Sequence, residues 1–260
     1  MDVRMDGRRA LITGGSQGLG FAMAKRFAES GADVALLARR EDTLAAAKKD
    51  IESATGRKVS IYSCDVGKAD QINDAHAAVT REIGPIDVLV NNAGSSQHGR
   101  FEELTDRQWQ DDFDLKLFGA IRLTRLVIPG MKQRRWGRII NILNIGARAP
   151  TAEGAPTQVT RAAGLAMTKV MAGEYAPYNV LVNALLTGSI VTEQVRRRHE
   201  RLRKNATLEA QIAEEGKRVP MGRMGTAVEY ANMACFLASD AASYITGTAI
   251  NVDGGLSPVI

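Results

Sequence analysis

Seven short apolar runs alternate along the chain with longer segments of helical spacing. The runs are apolar at nearly every position, which is typical of strands buried on both faces. The segment 21–30 places Phe21, Ala24, Phe27 and Ala28 on one helical face. Such alternation indicates βαβ units, and therefore an α/β fold whose parallel sheet carries helices on both faces. The strands are predicted at 9–13, 33–38, 58–62, 87–91, 138–143, 179–185 and 248–252.

The domain organisation follows from what separates these runs. The 260 residues contain no Pro- or Ser-rich linker and no internal repeat, so we expect one doubly wound, Rossmann-type domain over 1–260 with a seven-stranded parallel sheet. The longest segment without predicted regular structure is 188–225, between the sixth and seventh strands. Ligands bind at the carboxyl ends of the strands in open α/β sheets. We therefore interpret 188–225 as a lid insertion over the substrate.

Composition excludes several classes of protein. Apolar residues make up 45% and charged residues 24%, as in a soluble globular domain. The net charge of +5 suits anionic small ligands, but no aromatic residues are interleaved with the basic ones, so nucleic acid is not expected as a partner. No run is long enough to predict a membrane span or signal peptide. Two cysteines form neither a disulfide framework nor a metal-ligand set, so we expect no metal and a cytoplasmic location.

The glycine-rich stretch "TGGSQGLG" at 13–20 lies between the first strand and a helix. Gly14, Gly18 and Gly20 let the backbone turn tightly and approach a pyrophosphate seated on the helix N-terminus. The alternative is a loop that only turns the chain. The strand–loop–helix context favours the dinucleotide site.

The second strand ends in "LLARRED", with Ala38 where an acid would bind the ribose hydroxyls of NAD(H), followed by Arg39 and Arg40. A guanidinium there suits a 2′-phosphate through its charge and its fork of donors. The sequence therefore favours NADP(H) over NAD(H) as the cofactor. The alternative is a pair of solvated arginines at a helix start.

Several stretches together resemble the short-chain dehydrogenase/reductase family over about 8–255. They are "TGGSQGLG", "CDV" at 64–66, "NNAG" at 91–94, "GRIINI" at 137–142, "LVNAL" at 181–185 and "FLASDAASYITGTAINVDGG" at 236–255. The resemblance implies a homo-oligomer, either a dimer or a tetramer. It also implies cofactor contacts from Ser16 and Leu19 beside the glycines, from Arg161, and from Asp65, Val66, Asn91, Ala93, Gly94, Gly188, Ile190 and Thr192.

The family's catalytic Asn, Ser, Tyr and Lys are all replaced. Alignment through the flanking motifs places Lys116, Asn144, Thr157 and Arg161 at those four positions. A shifted register does not restore the set, because Tyr-x-x-x-Lys occurs nowhere in the chain.

These replacements change the available proton chemistry. Thr157 donates a hydrogen bond but does not usefully ionise, and Arg161 supplies fixed positive charge without relaying a proton. The amide of Asn144 can polarise a carbonyl. Lys116 is ionisable, and burial beside Arg161 would lower its pKa, which makes it a candidate general acid. Alternatively, Lys116 extends to solvent or pairs with a neighbouring acid, Asp112 or Asp114.

Two further acid–base candidates lie in loops beside the same region. His98 follows "NNAG", and Glu153 precedes the altered helix; for each the alternative is an ordinary surface residue. The basic stretch 194–204 lies within the expected lid, where it would attract an anionic substrate such as an acyl thioester or a phosphate ester. The alternative is a solvated helix face.

Three functions follow. The first is a divergent NADP(H)-dependent oxidoreductase acting on a carbonyl or alcohol substrate with a non-standard proton donor. The second is a lyase or isomerase on the same scaffold, and the third is a non-catalytic NADP(H)-binding protein. We favour the first, because the cofactor motifs are retained while only the proton-transfer positions differ.

Overall fold

Seven parallel strands form the central sheet of the computed structural model, which describes residues 3–202 and 207–260. The strands β1 to β7, in chain order, are Arg9–Thr13, Asp33–Ala38, Val59–Ser63, Val88–Asn91, Gly137–Asn144, Val180–Thr187 and Ala249–Val252. Their order across the sheet is β3-β2-β1-β4-β5-β6-β7, and every neighbouring pair is parallel. The prediction of a doubly wound α/β fold with a seven-stranded parallel sheet is confirmed.

Helices cover both faces of this sheet. In chain order α1 to α9, they are Gly18–Glu29, Glu41–Thr55, Ala69–Ile83, Asp106–Phe113, Gly119–Arg134, Thr157–Tyr175, Glu193–Leu202, Leu208–Gly216 and Ala227–Ala238. One apolar core joins α1, α2 and α9 to the sheet, and a second joins α3, α5 and α6 to the opposite face. Successive residues of β1 alternate between them, since Ala10 and Ile12 lie in the first core and Leu11 in the second. Burial on both faces explains the continuous apolar runs.

The central strands are longer than their apolar runs. β5 extends to Asn144 and β6 to Thr187, and these two residues are partners in the strand register. Sequence patterning ended both strands early because the polar Asn144 and Thr187 carry no strand signal, although Leu186 before Thr187 is apolar. The extension places Asn144 at the carboxyl edge of the sheet.

The segment 188–225 differs from the expected irregular insertion. It contains α7 and α8, and Ile190–Val191 pairs with Gly225–Thr226 at its ends. Its polar composition concealed these helices, although the Thr207 hydroxyl caps α8 by accepting from the Ala210 N–H at 3.2 Å. Part of the basic stretch, 203–204, lies outside the described residues.

A short π-helical segment, Asp114–Phe118, joins α4 to α5. π-Helical turns are rare and are frequent at functional sites. This one carries Lys116 at the carboxyl side of α4 and faces the start of α6. No helix among residues 3–202 and 207–260 is both long and apolar enough to cross a bilayer. Cys64 and Cys235 are buried free thiols.

Candidate active site

The glycine-rich loop after β1 makes a tight turn that only glycine permits. Gly14 and Gly18 adopt positive φ angles of 63° and 58°. A side chain at Gly20 would overlap the carbonyl oxygen of Gly14, so the loop closes onto the first turn of α1. The close approach of the Gly14 and Gly20 backbones therefore requires glycine in this loop, as the sequence predicts.

The N-terminus of α1 is open to an anion. Its N-cap residue, Gln17, makes no capping hydrogen bond, and the first turn contains no acidic residue. By contrast, α4 and α9 begin with complete capping boxes at Thr105 and Thr226. The first N–H groups and the positive end of the α1 dipole thus remain for a negatively charged ligand. This arrangement fits the pyrophosphate of a dinucleotide.

The "NNAG" loop after β4 is fastened to the end of β1. The Thr13 hydroxyl accepts the backbone N–H of Asn92 and of Ala93, each at 2.9 Å. The Asn92 amide donates back to the Thr13 carbonyl at 2.8 Å. Thr13 and Asn92 therefore join the glycine-rich loop to the "NNAG" loop. Sequence reasoning missed both residues, although each stands inside a recognised motif.

Three of the predicted cofactor residues line the middle of this edge. Asn91 donates to Asn141 Oδ1 at 2.9 Å, and its own Oδ1 is buried without a hydrogen-bond partner in the described chain. A Cβ added to Gly94 would lie 2.5 Å from Arg161 Nη2 and 3.6 Å from Lys116 Cγ. Ala93 and Gly94 thus bring the cofactor loop against the altered catalytic positions.

Several arginines lie near the end of β2, where the adenosine of the cofactor is expected. The Arg39 side chain is exposed and has no hydrogen bond among the described residues. Arg40, one residue on, donates to Gln17 Oε1 at 2.9 Å, and Arg197 of α7 donates to the same oxygen at 2.5 Å. Arg40 and Arg197 were not predicted as site residues. Arg197 has no sequence signal that separates it from its basic neighbours.

The remaining predicted cofactor residues also lie along the carboxyl edge of the sheet. Asp65 Oδ1 accepts the Gly67 N–H at 3.0 Å, and the neighbouring Val66 is buried. A Cβ at Gly18 would lie 3.8 Å from Thr192 Cβ, so the loop after β6 borders the glycine-rich loop. The others are placed as follows: Ser16 and Leu19 are half-buried in the glycine-rich loop and α1, Gly188 follows β6, and Ile190 is buried beyond it.

Lys116, Thr157 and Arg161, which align with catalytic positions of the family, lie close together in the structure. Lys116 Nζ donates to Thr157 Oγ1 at 2.7 Å and forms an ion pair with Asp112. The other carboxylate oxygen of Asp112 accepts the Thr160 hydroxyl at 2.7 Å. Pairing with Asp112 was one of the alternatives that the sequence left open, whereas Thr160 gave no signal because a threonine inside a helix is unremarkable.

This cluster is almost fully enclosed. Side-chain exposure is 1% for Lys116 and 2% for Asp112. Burial lowers the pKa of Lys116 to about 8, the Asp112 carboxylate opposes that shift, and the positive charge of Arg161 adds to it. Arg161 is half-buried and donates to the Ile142 carbonyl at 2.6 Å. Burial also lowers the pKa of Arg161, with Asp112 opposing.

Asn144 stands at the carboxyl end of β5 with hydrogen-bonding capacity to spare. Its Oδ1 is buried and has no partner within the described chain. An unpartnered buried amide oxygen is costly, which indicates that this side chain completes its bonds with a ligand or a water.

His98 and Glu153 are adjacent to the cluster through the backbone only. His98–Gly99 pairs antiparallel with Ala155–Pro156, which presses this loop against the start of α6. Both side chains are exposed, and neither forms a hydrogen bond among the described residues. The loop contributes instead through the Gln97 N–H, which donates to Thr157 Oγ1 at 3.0 Å. No group of three or more metal-ligating side chains occurs in the described part of the chain.

The fold and site together define a doubly wound α/β protein whose glycine-rich loop and partly buried polar cluster lie at the carboxyl edge of the sheet. A family model described as enoyl-(acyl carrier protein) reductase matches residues 14–257. The 3-oxoacyl-(acyl-carrier-protein) reductase of Chlamydia muridarum is 36% identical over 255 residues, covering 96% of this chain and 97% of that protein. The acetoacetyl-CoA reductase of Shinella zoogloeoides is 36% identical over 248 residues, covering 95% and 98%.

Solved structures agree with these matches. L-sorbose reductase from Gluconobacter frateurii, complexed with NADPH and L-sorbose, aligns over 100% of both chains with a TM-score of 0.95 and 32% identity. The chain belongs to the short-chain dehydrogenase/reductase family of oxidoreductases.

Proposed function

We propose that the protein is an NADP(H)-dependent oxidoreductase that interconverts a carbonyl and an alcohol, with Lys116 as the source of the proton. One observation carries the proposal: Lys116 Nζ lies 2.7 Å from the hydroxyl of Thr157, at the position that the resemblance assigns to the acid. Lys116 is also the only one of the four replaced positions whose pKa, about 8, lies near neutrality.

The cofactor assignment rests on the open N-terminus of α1 and on the arginines around Gln17. The backbone of the glycine-rich loop would hold the pyrophosphate, and Arg39 with Arg40 would bind the 2′-phosphate. The relative solved with NADPH supports the phosphorylated form. A nicotinamide bound at this edge supplies or accepts the hydride. Gly94 and Arg161 would border its ribose, and Gly188, Ile190 and Thr192 its carboxamide.

The residues of this chain then divide the remaining work. Asn144 would donate its amide N–H to the carbonyl oxygen. Arg161 adds a fixed positive charge that stabilises a developing alkoxide. Lys116 supplies the proton in reduction and receives it in oxidation. General acid catalysis of this kind contributes about 10²- to 10⁴-fold to a rate.

The basic stretch 194–204 of the lid is weaker evidence for an anionic substrate than its sequence suggested. Arg197 bonds to Gln17, and Arg198 bonds to Glu215 at 2.5 Å, so two of these cations already have partners. Arg196 is exposed beside them. We retain an anionic carbonyl substrate as the proposal, in line with the acyl-carrier and acyl-CoA substrates in the names of two relatives.

A second function is favoured by one specific observation. The Lys116 side chain is 1% exposed and paired with Asp112, as a purely structural ion pair would be. This suits a non-catalytic NADP(H)-binding protein. The two functions are separated by titrating the protein with NADPH and NADH and then screening 3-oxoacyl thioesters and polyol-derived ketones for NADPH oxidation. Turnover supports the enzyme, tight NADPH binding without turnover supports the binding protein, and failure to bind either nucleotide at millimolar concentration contradicts both.

We also propose a homo-oligomer, assembled in part through α6. That helix exposes an apolar stripe at helical spacing, formed by Val159, Ala162, Ala166 and Val170. A second copy is the occupant that family membership favours. Light scattering on the purified protein tests the proposal, with a dimeric or tetrameric mass expected and a purely monomeric mass contradicting it. Val170→Glu should shift the mass downward, whereas exposed Val228→Glu on α9 should not.

A further inference from the structure

The hydroxyl of Thr157 has one hydrogen-bonding capacity left. A threonine hydroxyl has two acceptor lone pairs and one donor hydrogen. Lys116 Nζ at 2.7 Å and the Gln97 N–H at 3.0 Å occupy both acceptor positions. No oxygen in the described part of the chain receives the remaining hydrogen. Thr157 is therefore poised to donate to a molecule bound against it.

Lys116 is the group that can resupply the hydrogen that Thr157 gives up. Its side chain is 1% exposed, and its ammonium has two described partners, Asp112 and Thr157. Asp112 is enclosed as well, at 2% exposure. Of these two partners, only the hydroxyl of Thr157 accepts one proton while releasing another outward. Thr157 is nearly enclosed as well, at 3% exposure, so its role as the donor to substrate rests on its unused hydrogen and not on greater exposure.

Asp112 fixes the other end of the cluster. One oxygen pairs with Lys116 and the other accepts the Thr160 hydroxyl at 2.7 Å, so the carboxylate is held from two helices. The charged groups that face Lys116 are Asp112 from α4 and Arg161 from α6. The loop 91–97 on the third side, "NNAGSSQ", carries no charge.

We propose that Thr157 donates the proton to the substrate oxygen and that Lys116 replaces this proton on Thr157. Asp112 is the positioning residue that keeps Lys116 protonated and directed at Thr157. This rests on the proposed oxidoreductase function. Asp112 is not among the four positions that the family resemblance assigns, and Thr157, which is among them, acts here as a relay and not as a group that ionises.

The transfer balances in both atoms and charge. In reduction the carbonyl oxygen becomes an alkoxide. The O–H bond of Thr157 then breaks as an O–H bond forms on the substrate, and an N–H bond of Lys116 breaks as a new O–H bond forms on Thr157. Thr157 is never an anion, which removes the difficulty that an alkyl hydroxyl does not ionise. After product leaves, a proton from water enters through Thr157 and recharges Lys116.

The first test compares Thr157→Val, which keeps the shape but lacks the hydroxyl, with Thr157→Ser, which keeps the hydroxyl. We expect Thr157→Val to reduce the kcat of carbonyl reduction by about 100-fold while NADPH affinity is retained, and Thr157→Ser to stay within several-fold of wild type. Equal loss in both variants, or no loss in Thr157→Val, would overturn the relay.

A solvent isotope measurement separates a relay from a merely structural hydroxyl. Two protons move together in the relay, so the rate in mixtures of H₂O and D₂O should curve with the deuterium fraction for wild type and Thr157→Ser. A straight line for both indicates a single moving proton and contradicts the relay.

The role of Asp112 is tested by Asp112→Asn and the conservative Asp112→Glu. Removing the carboxylate takes away the opposite charge that favours protonated Lys116. The pH above which the rate of carbonyl reduction falls should therefore be lower in Asp112→Asn than in wild type. In Asp112→Glu it should return towards the wild-type value. Titration of the Lys116 Nζ by ¹⁵N NMR in the NADPH complex, assigned with Lys116→Met, should show the same downward shift without any turnover.

The outcomes of these tests distinguish a failure of the relay or of the positioning role from a failure of the proposed function. If wild type binds NADPH but reduces no substrate, the oxidoreductase proposal fails and the relay fails with it, even where the NMR titration shows Asp112 controlling Lys116. If wild type turns over but the pH limb and the NMR titration are unchanged in Asp112→Asn, only the positioning role is overturned.

Discussion

The ammonium of Lys116 and the carboxylate of Asp112 form a buried ion pair across one turn at the junction of α4 and the π-helical segment. Taking two charges out of water is costly, and the pair is maintained because each partner has a second hydrogen bond, to Thr157 and from Thr160. A surface lysine would serve the fold at lower cost. The buried pair is thus the feature that most distinguishes this reaction edge.

Breaking this pair from one side should be strongly destabilising. Lys116→Met leaves the Asp112 carboxylate buried without its cation, and we expect the free energy of unfolding to fall by about 3–5 kcal/mol. The double variant Asp112→Leu/Lys116→Met removes both charges and should be more stable than Lys116→Met alone. Denaturant unfolding is measured for wild type, for Lys116→Met, for Asp112→Leu and for the double variant. A double variant that loses the sum of the two single losses would show that the two residues are not coupled.

The glycine-rich loop allows a steric test with matched controls. Gly20→Ala would place Cβ against the Gly14 carbonyl oxygen, so we expect lost NADPH binding and a marked fall in melting temperature. Gly18→Ala and Gly56→Ala each force alanine to positive φ, 58° and 67°, with at most one distant contact, and each should cost about 1–2 kcal/mol. Gly56 lies at the end of α2, so its variant should bind NADPH normally. Normal binding by Gly20→Ala would refute this account of the loop.

Cofactor choice should depend on the exposed arginine after β2. Arg39→Asp replaces a phosphate-binding cation with an acid, and we expect NADPH affinity to fall by roughly 10- to 150-fold, equivalent to about 1.5–3 kcal/mol for a charge-assisted bond. NADH affinity should change little. Arg81→Asp removes an exposed arginine elsewhere, on α3, and serves as the control. Equal losses for NADPH and NADH in Arg39→Asp would remove Arg39 from the 2′-phosphate site.

The sequence predicted the sheet and the tight glycine-rich turn because both leave local patterns. Apolar runs mark β1 to β7, and the glycines after β1 mark the turn that the structure shows. Lys116, Thr157 and Arg161 were also brought together by motif register alone. Whether Lys116 is buried was left open, since its enclosure depends on α4 and α6 packing on either side of the π-helical segment. Thr160 contacts Asp112 through its hydroxyl, and Gln97 contacts Thr157 through its backbone N–H. Neither tertiary contact has a signature in the sequence.

The most direct test of Lys116 as the proton source is the pH dependence of kcat for carbonyl reduction at saturating NADPH. Burial lowers the pKa of Lys116 to about 8, so the protonated form persists below that pH and is lost above it. Wild-type reduction should therefore be constant below about pH 8 and fall roughly tenfold per pH unit above it, while alcohol oxidation rises through the same range.

Lys116→Gln, which keeps hydrogen-bonding atoms but no titratable charge, completes this measurement. We predict a kcat at least about 100-fold below wild type that is independent of pH between 6 and 10, with NADPH affinity retained. A Lys116→Gln enzyme with the wild-type rate and the wild-type fall above pH 8 would contradict the account.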